Sequence, residues 1–141
     1  MKQTLLLIVL VIMFVIPCAA QGNSPKSISV PKAEKITEIL YFCNTELGMG
    51  IARFGKVLRK KPTAQAYIIV YANPKIVEYG GYLISNAKRM LQEEKIAQNR
   101  IFIIEGGFRE DTTAEFFIVP KGAVPPVPTP TIDEKGVALK P

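Results

Sequence analysis

The sequence predicts an α/β fold, a two-layer sandwich in which two helices pack against a mixed sheet in the order β-α-β-α-β-β. Short runs rich in β-branched and aromatic residues alternate with two longer stretches whose apolar residues recur every three or four positions. Prolines, glycines and polar residues separate these stretches. All of the periodic sequence falls between residues 35 and 119, which is enough for one small domain.

The first predicted strand spans residues 36–43, which are rich in β-branched and aromatic side chains. Asn44 and Thr45 can cap a helix directly after it. The apolar stripe of this helix is formed by Leu47, Ile51, Phe54 and Leu58. The helix should end before Pro62, because proline stops helix propagation.

Residues 66–71 are almost continuously apolar, as expected of a central strand that is covered on both faces. The second helix follows the turn at Asn73-Pro74 and runs to about Lys95. Its apolar face comprises Ile76, Gly80, Leu83, Ile84, Ala87, Met90 and Leu91.

Two further strands complete the predicted sheet. Residues 100–104 form the third strand, and residues 114–119 form the fourth. Gly106-Gly107 suits a turn between them, so we expect the last two strands to pair as an antiparallel hairpin.

Residues 1–20 have the features of a secretory signal peptide: Lys2, an apolar run over 5–16 and a small-residue exit at Cys18-Ala19-Ala20. An apolar run of about 12 residues is too short for a membrane-spanning helix, which needs about 20. The predicted location is therefore the periplasm or cell envelope, or the medium after release. We expect no stable transmembrane span once the leader is removed.

The rest of the chain divides into an arm, a domain and a tail. Residues 21–34 are polar, contain two prolines and predict a flexible N-terminal arm. The domain covers residues 35–119. Residues 120–141 contain six prolines and predict a disordered, extended spacer.

The two cysteines predict no disulfide within the exported chain, because Cys18 lies in the leader and leaves Cys43 alone. Cys43 follows an apolar run and is interpreted as a small buried hydrophobic residue. An intermolecular disulfide is the alternative. Acylation of Cys18 would make the chain a lipoprotein, but Pro17 stands where that processing needs a small residue.

The chain has no histidine and a formal net charge of +6. Histidine-based catalysis and histidine-ligated metals are thereby excluded, and we predict no catalytic residue, no metal and no cofactor. Basic residues gather at the end of the first helix: Arg53, Lys56, Arg59, Lys60 and Lys61. An exported protein meets anionic envelope polymers or lipid headgroups rather than nucleic acid, although these residues also suit a simple solvated helix end.

The stretch 66–107 resembles the peptidoglycan-associating C-terminal domain of outer membrane protein A and its relatives. A strand and a long helix lead there to a "YL…GI…RI…G" pattern, which stands here as Met90-Leu91, Lys95-Ile96, Arg100-Ile101 and Gly106-Gly107. Residues 66–131 also look like small secreted bacterial proteins of unknown role that share the proline-rich tail. The resemblance implies an OmpA-like sandwich and association with the cell wall.

Two residues that bind peptidoglycan in that family have no counterpart in this chain. The family holds the diaminopimelate group of the stem peptide with an Asp just after the second strand and an Arg in the following helix. Residues 71–75 contain no Asp, and Leu83 or Ser85-Asn86 stands in place of the Arg. A peptidoglycan contact would have to use other residues.

The stretch 105–111 is the first candidate for a site because it combines four charged residues with two glycines in a predicted loop. Its carboxylates could bind a cation, and Arg109 could bind a carboxylate; solvated charges beside a turn would also explain it. We predict ligand-binding residues at Asn73, Lys75, Arg109 and Glu110.

These observations predict a non-enzymatic, exported binding or scaffolding protein of the cell envelope, with a cell-wall polymer or an envelope protein as its partner. One alternative is an adaptor that works through its proline-rich tail. Another is a small hydrolase using Glu105, Glu110 or Glu115, although nothing in the sequence fixes two carboxylates at a catalytic separation.

Overall fold

A computed structural model describes residues 30–40 and 43–139. The predicted signal peptide with Cys18, most of the predicted arm, Tyr41-Phe42 and the last two residues lie outside the described residues. The elements are β1 (Glu34–Leu40), α1 (Asn44–Arg59), β2 (Gln65–Ala72), α2 (Glu78–Glu93), a 3₁₀ turn (Gln98–Arg100), β3 (Ile101–Phe108) and β4 (Thr113–Val119).

The four strands form one mixed sheet in the order β1-β4-β2-β3. β2 and β3 run parallel, whereas β4 runs antiparallel to both β1 and β2. Two helices accompany this sheet, so the predicted α/β class and the order of elements are confirmed.

The predicted hairpin between the last two strands is wrong, because β2 lies between β3 and β4. β4 enters the middle of the sheet, where six of its seven residues are buried. Gly106-Gly107 is not a turn but the end of β3, where the register with β2 shifts between Val70 and Ala72. The chain reverses instead between Phe108 and Thr113.

The main hydrophobic core lies between the helices and one face of the sheet. The predicted stripe of α1 is fully buried there, together with Leu83, Ala87 and Leu91 of α2. The sheet contributes alternate residues, such as Ile68 of β2 and Phe116 of β4. The Phe116 ring meets Phe54 edge to face, with ring centroids 5.3 Å apart.

Residues of the other face of the sheet, here called the open face, are also buried. Ile69, Tyr71 and Val119 are almost inaccessible to solvent although they do not belong to the helix-side core. The Tyr71 hydroxyl accepts a hydrogen bond from the backbone N–H of Thr129 in the tail, at 3.0 Å. The tail is therefore held against the part of the open face around Tyr71.

The tail thus differs from the predicted disordered spacer. Ile132 is 7% exposed and forms an isolated bridge with Phe108. Leu139 N donates to the Thr131 carbonyl, which folds the end of the described chain back on itself. One reason is that the prolines already restrict the unfolded tail, so that ordering it costs little conformational entropy. A second reason is that Ile132 is an apolar residue that the tail can bury, which the high proline content does not indicate.

The boundaries at the start of the domain also differ from the prediction. β1 begins at Glu34, within the predicted arm, and Lys32 forms a bridge with Val124 of the tail. Cys43 is exposed rather than buried. The reason is that β1 ends at Leu40, so Cys43 falls in the connection to α1 and not in the strand. No helix of the described ranges is long and apolar enough to cross a membrane.

Candidate functional site

Three of the four predicted ligand-binding residues meet in two adjacent loops at one end of the sheet. The Asn73 side-chain amide donates to the Glu110 carbonyl at 2.5 Å, and its Oδ1 accepts from the Lys75 backbone N–H at 2.8 Å. The Asn73 backbone N–H lies 3.3 Å from the Thr112 hydroxyl, to which it donates. Asn73 therefore ties the loops together and has little capacity left for a ligand.

Lys75 and Glu110 contribute to that arrangement through their backbones, and both residues are exposed. The Lys75 ammonium makes no salt bridge with any residue of the described ranges. Glu110 is likewise absent from the salt bridges of the described residues, so both Lys75 and Glu110 offer an unshared charge to solvent.

The Arg109 side chain does not join the other three predicted residues, because it turns onto the open face of the sheet. The guanidinium carbon sits 3.5 Å from the centroid of the Tyr71 ring, a cation–π contact. Nη2 donates to the Thr129 hydroxyl at 2.9 Å and to Glu115 at 3.3 Å. With 15% of the side chain exposed, Arg109 holds the tail rather than facing solvent.

The double glycine places Arg109 over Tyr71. A Cβ on Gly106 would lie 2.6 Å from both Ile69 and Tyr71, and Gly107 has a φ of 88°, which favours glycine. After this irregularity the Arg109 backbone N–H donates a hydrogen bond to the Ala72 carbonyl at 3.0 Å, so the chain is again hydrogen-bonded to β2. The glycines that suggested a turn instead form a distortion at the end of β3.

A cluster of paired charges covers the centre of the open face. Glu115 accepts hydrogen bonds from the Tyr71 hydroxyl and the Lys35 ammonium, each at 2.9 Å. Burial alone would raise the pKa of Glu115, but the bonds from Lys35 and Tyr71 and the charge of Arg109 outweigh it, so its pKa lies below the ordinary value. Bonds to Glu38 and then Glu115 raise the pKa of Lys35.

The residues of this cluster are far apart in the sequence, and no motif predicts them as a unit. Glu115 is the one charged residue between Thr113 and Val119. A lone charge inside an otherwise apolar strand signals a buried ion pair, but its partners come from three other parts of the chain.

A groove of about 450 Å³ opens where the carboxyl ends of β2 and β3 meet the start of α2. Its lining is formed by Val70, Ala72, Val77, Gly80, Gly81, Ile84, Glu105, Gly107 and Phe108. In α/β sheets, ligands bind at the carboxyl ends of parallel strands. Small residues at the start of α2 keep this groove open, and a Cβ on Gly80 would already touch that of Ala72 at 3.0 Å.

The three glutamates considered for hydrolysis do not assemble into one centre. Glu105 pairs in register with Val70, whereas Glu115 pairs with Ile69, so the two carboxylates point to opposite faces of the sheet. They cannot flank one bond from the two sides that glycoside hydrolysis needs. Among the described residues, no group of three or more Cys, Asp or Glu side chains could hold a metal ion.

The basic end of α1 is partly neutralised by neighbours. Arg59 forms a salt bridge with Glu94 and also donates to its backbone carbonyl at 3.2 Å. Lys61 pairs with Glu34 at 2.7 Å. This pairing favours the solvated helix end over a strong binding surface for anions.

Two comparisons with known proteins, one with family models and one with curated sequences, were made for this chain. The chain matches no family model, and no curated protein matches it in sequence.

Proposed function

We propose that this protein is an exported, non-enzymatic binding module of the cell envelope that binds a cell-wall polymer at the groove beside Lys75. The observation that carries this proposal is the groove itself, at the carboxyl ends of β2 and β3. Lys75 precedes its lining residue Val77 by two positions and presents an unshared positive charge.

The groove suits a ligand that carries small apolar groups and charges of both signs, because Glu105 in its lining is anionic and Lys75 near its lining residue Val77 is cationic. Its walls are mostly apolar and can accept methyl groups, such as those of a short peptide. The Lys75 ammonium can bind a carboxylate at the mouth of the groove. Peptidoglycan stem peptides combine these two features, in line with the resemblance to wall-associated domains.

The mode of binding differs from that of the family it resembles. Residues 71–75 contain no Asp, and Asn73 among them is occupied by Glu110 and Lys75. Arg109 is occupied by Thr129 and Glu115. Lys75, the carboxylates of Glu105 and Glu110 and the apolar lining are what remain for a ligand.

Co-sedimentation of the purified protein with peptidoglycan sacculi, at low and moderate salt, tests this proposal. We expect pelleting that persists at moderate salt, because apolar contacts are not screened by ions. Lys75→Ala and Val77→Ser should each reduce the bound fraction severalfold. Lys56→Ala removes the same charge from an exposed position on α1 and should leave binding unchanged.

Two outcomes would contradict a wall-binding groove. One is no pelleting at either salt concentration. The other is pelleting that disappears with salt and responds equally to Lys75→Ala and Lys56→Ala, since binding would then follow net charge alone.

The alternative function, an adaptor acting through its tail, is favoured by one feature. Val124 and Val127 are about three-quarters exposed, at 75% and 76%, on either side of Pro125-Pro126. A partner could bind residues 124–127 while Thr129 and Ile132 hold the tail in place. Val127→Ser should abolish capture of an envelope partner without affecting wall binding if the adaptor function is correct.

A further inference from the structure

The outer edge of β3 is apolar and largely unpaired. β3 pairs with β2 on one side, and across the described ranges its other side meets the chain only at Phe108, where Ile132 forms a bridge. Residues 101–104 carry no charge, and Phe102 is 37% exposed. Free N–H and C=O groups on such an edge are a template for another strand.

The opposite edge of the same sheet carries features that discourage such pairing. β1 presents Glu34, Lys35 and Glu38, and its register is interrupted between Lys35 and Thr37. Charged side chains and irregular pairing are the usual protection of a sheet edge. β3 has neither over residues 101–104.

A second groove runs beside the β3 edge on the helix side, with a volume of about 330 Å³. Ile84 and Lys88 of α2 form one wall, and Ile101 and Ile103 of β3 form the other. Lys88 and Glu105 make no salt bridge within the described part of the chain. Both are exposed on the same side of the sheet, one from α2 and one from β3.

We propose that the protein forms a symmetric dimer in which two β3 edges pair antiparallel about Ile103. The two four-stranded sheets then become one sheet of eight strands. Ile103 faces its copy and Phe102 faces Ile104 of the second molecule, an aromatic–β-branched pair. The bridge at Phe108 limits the overlap to residues 101–105.

Charge complementarity favours a second copy of the chain in this register. Glu105 of one molecule lies opposite Ile101 of the other, which lines the groove with Lys88. Each Glu105 therefore meets a Lys88 of the other copy, and the symmetry forms this ion pair twice. A register centred on Glu105 would set the two carboxylates against each other, which is unfavourable.

Analytical ultracentrifugation of the full chain over a wide concentration range tests the dimer. Reversing one charge, by Lys88→Glu or Glu105→Lys, replaces two attractive pairs with two repulsive ones and should weaken association about tenfold. Combining both substitutions should restore it. Lys56→Glu reverses an exposed charge on α1 and should have no effect.

Hydrogen exchange of the unmodified protein provides a second test that needs no variant. Amides of residues 101–105 should exchange more slowly as concentration rises, while those of the β1 edge should not change. A protein that stays monomeric at all concentrations would overturn the proposal. So would a dimer that is insensitive to both charge reversals and lacks this protection at β3.

Discussion

Position 106 requires glycine because the Tyr71 ring and the Ile69 side chain fill the space beside it. A Cβ on this residue would lie 2.6 Å from both side chains. Neither neighbour can move easily, since both are fully buried. Gly106→Ala should therefore lower the free energy of unfolding by about 1–3 kcal/mol, the usual effect of overpacking.

Gly81→Ala is the matched control for this prediction. A Cβ on Gly81 meets nothing within 4 Å, and the residue lies inside α2. Alanine should stabilise the helix there by about 1 kcal/mol. Equal urea midpoints for the two variants would show that the close contact at Gly106 is not maintained in solution.

Glu115 gives the molecule a stability that depends on pH. Because its pKa in the folded state lies below the ordinary value of 4.5, folding favours the ionised form. The stabilisation is fully present above about pH 4.5 and is lost as the pH falls through the folded-state pKa. Urea midpoints measured from pH 6 downward should fall more steeply for the natural protein than for Glu115→Gln. Parallel curves would mean that Glu115 does not contribute.

At the scale of elements, local sequence pattern predicted the helices and strands well. The α1 stripe is buried as expected, and β2 extends the predicted strand by one residue at each end. The neighbours of β4 could not be predicted in this way, because Gly106-Gly107 is equally suited to a turn and to a distorted strand end. The apolar run of residues 116–119 is the sequence feature that fits a central strand, and the structure buries six of the seven residues of β4.

The candidate site was predicted only in part for a related reason. Asn73, Lys75 and Glu110 were predicted to bind a ligand, and the structure places them in two adjacent loops that follow neighbouring strands. The role of Arg109 depends on the tail, and high proline content made the tail look disordered. A long-range contact such as that between Tyr71 and Thr129 produces no periodic pattern in the sequence and so could not be predicted from it.

The tail, as an element, should resist proteolysis in the natural protein. Thr129 supplies three polar groups to Tyr71 and Arg109, so Thr129→Val removes the hydroxyl contact and loosens this attachment. Limited trypsin digestion should then cut faster at Lys121 and Lys135, which are exposed. Val127→Ala, at a position 76% exposed, is the control and should not change the rate. Rapid cleavage of the unaltered tail would contradict a bound tail.

For the whole molecule, the helices cover one face of the sheet, the tail covers part of the other, and the tail belongs to the folded unit. Removing residues 125–141 would expose Tyr71 and delete Ile132, both nearly inaccessible now. Burial of two such side chains stabilises by about 3–6 kcal/mol at most. We therefore expect a large fall in the urea midpoint and a smaller m-value, since less surface is exposed on unfolding.

The helix-side core should nevertheless survive this truncation, because its members come from α1, α2, the sheet and the links that carry Ala64 and Ile96, and none comes from the tail. Far-ultraviolet circular dichroism should keep the helical signal in the truncated protein. Val127→Ala, at a position of the tail that is 76% exposed, is the control and should leave the urea midpoint unchanged. An unchanged midpoint after removal of 125–141 would place the folded unit within residues 35–119 and would mean that the open face is stable in contact with water.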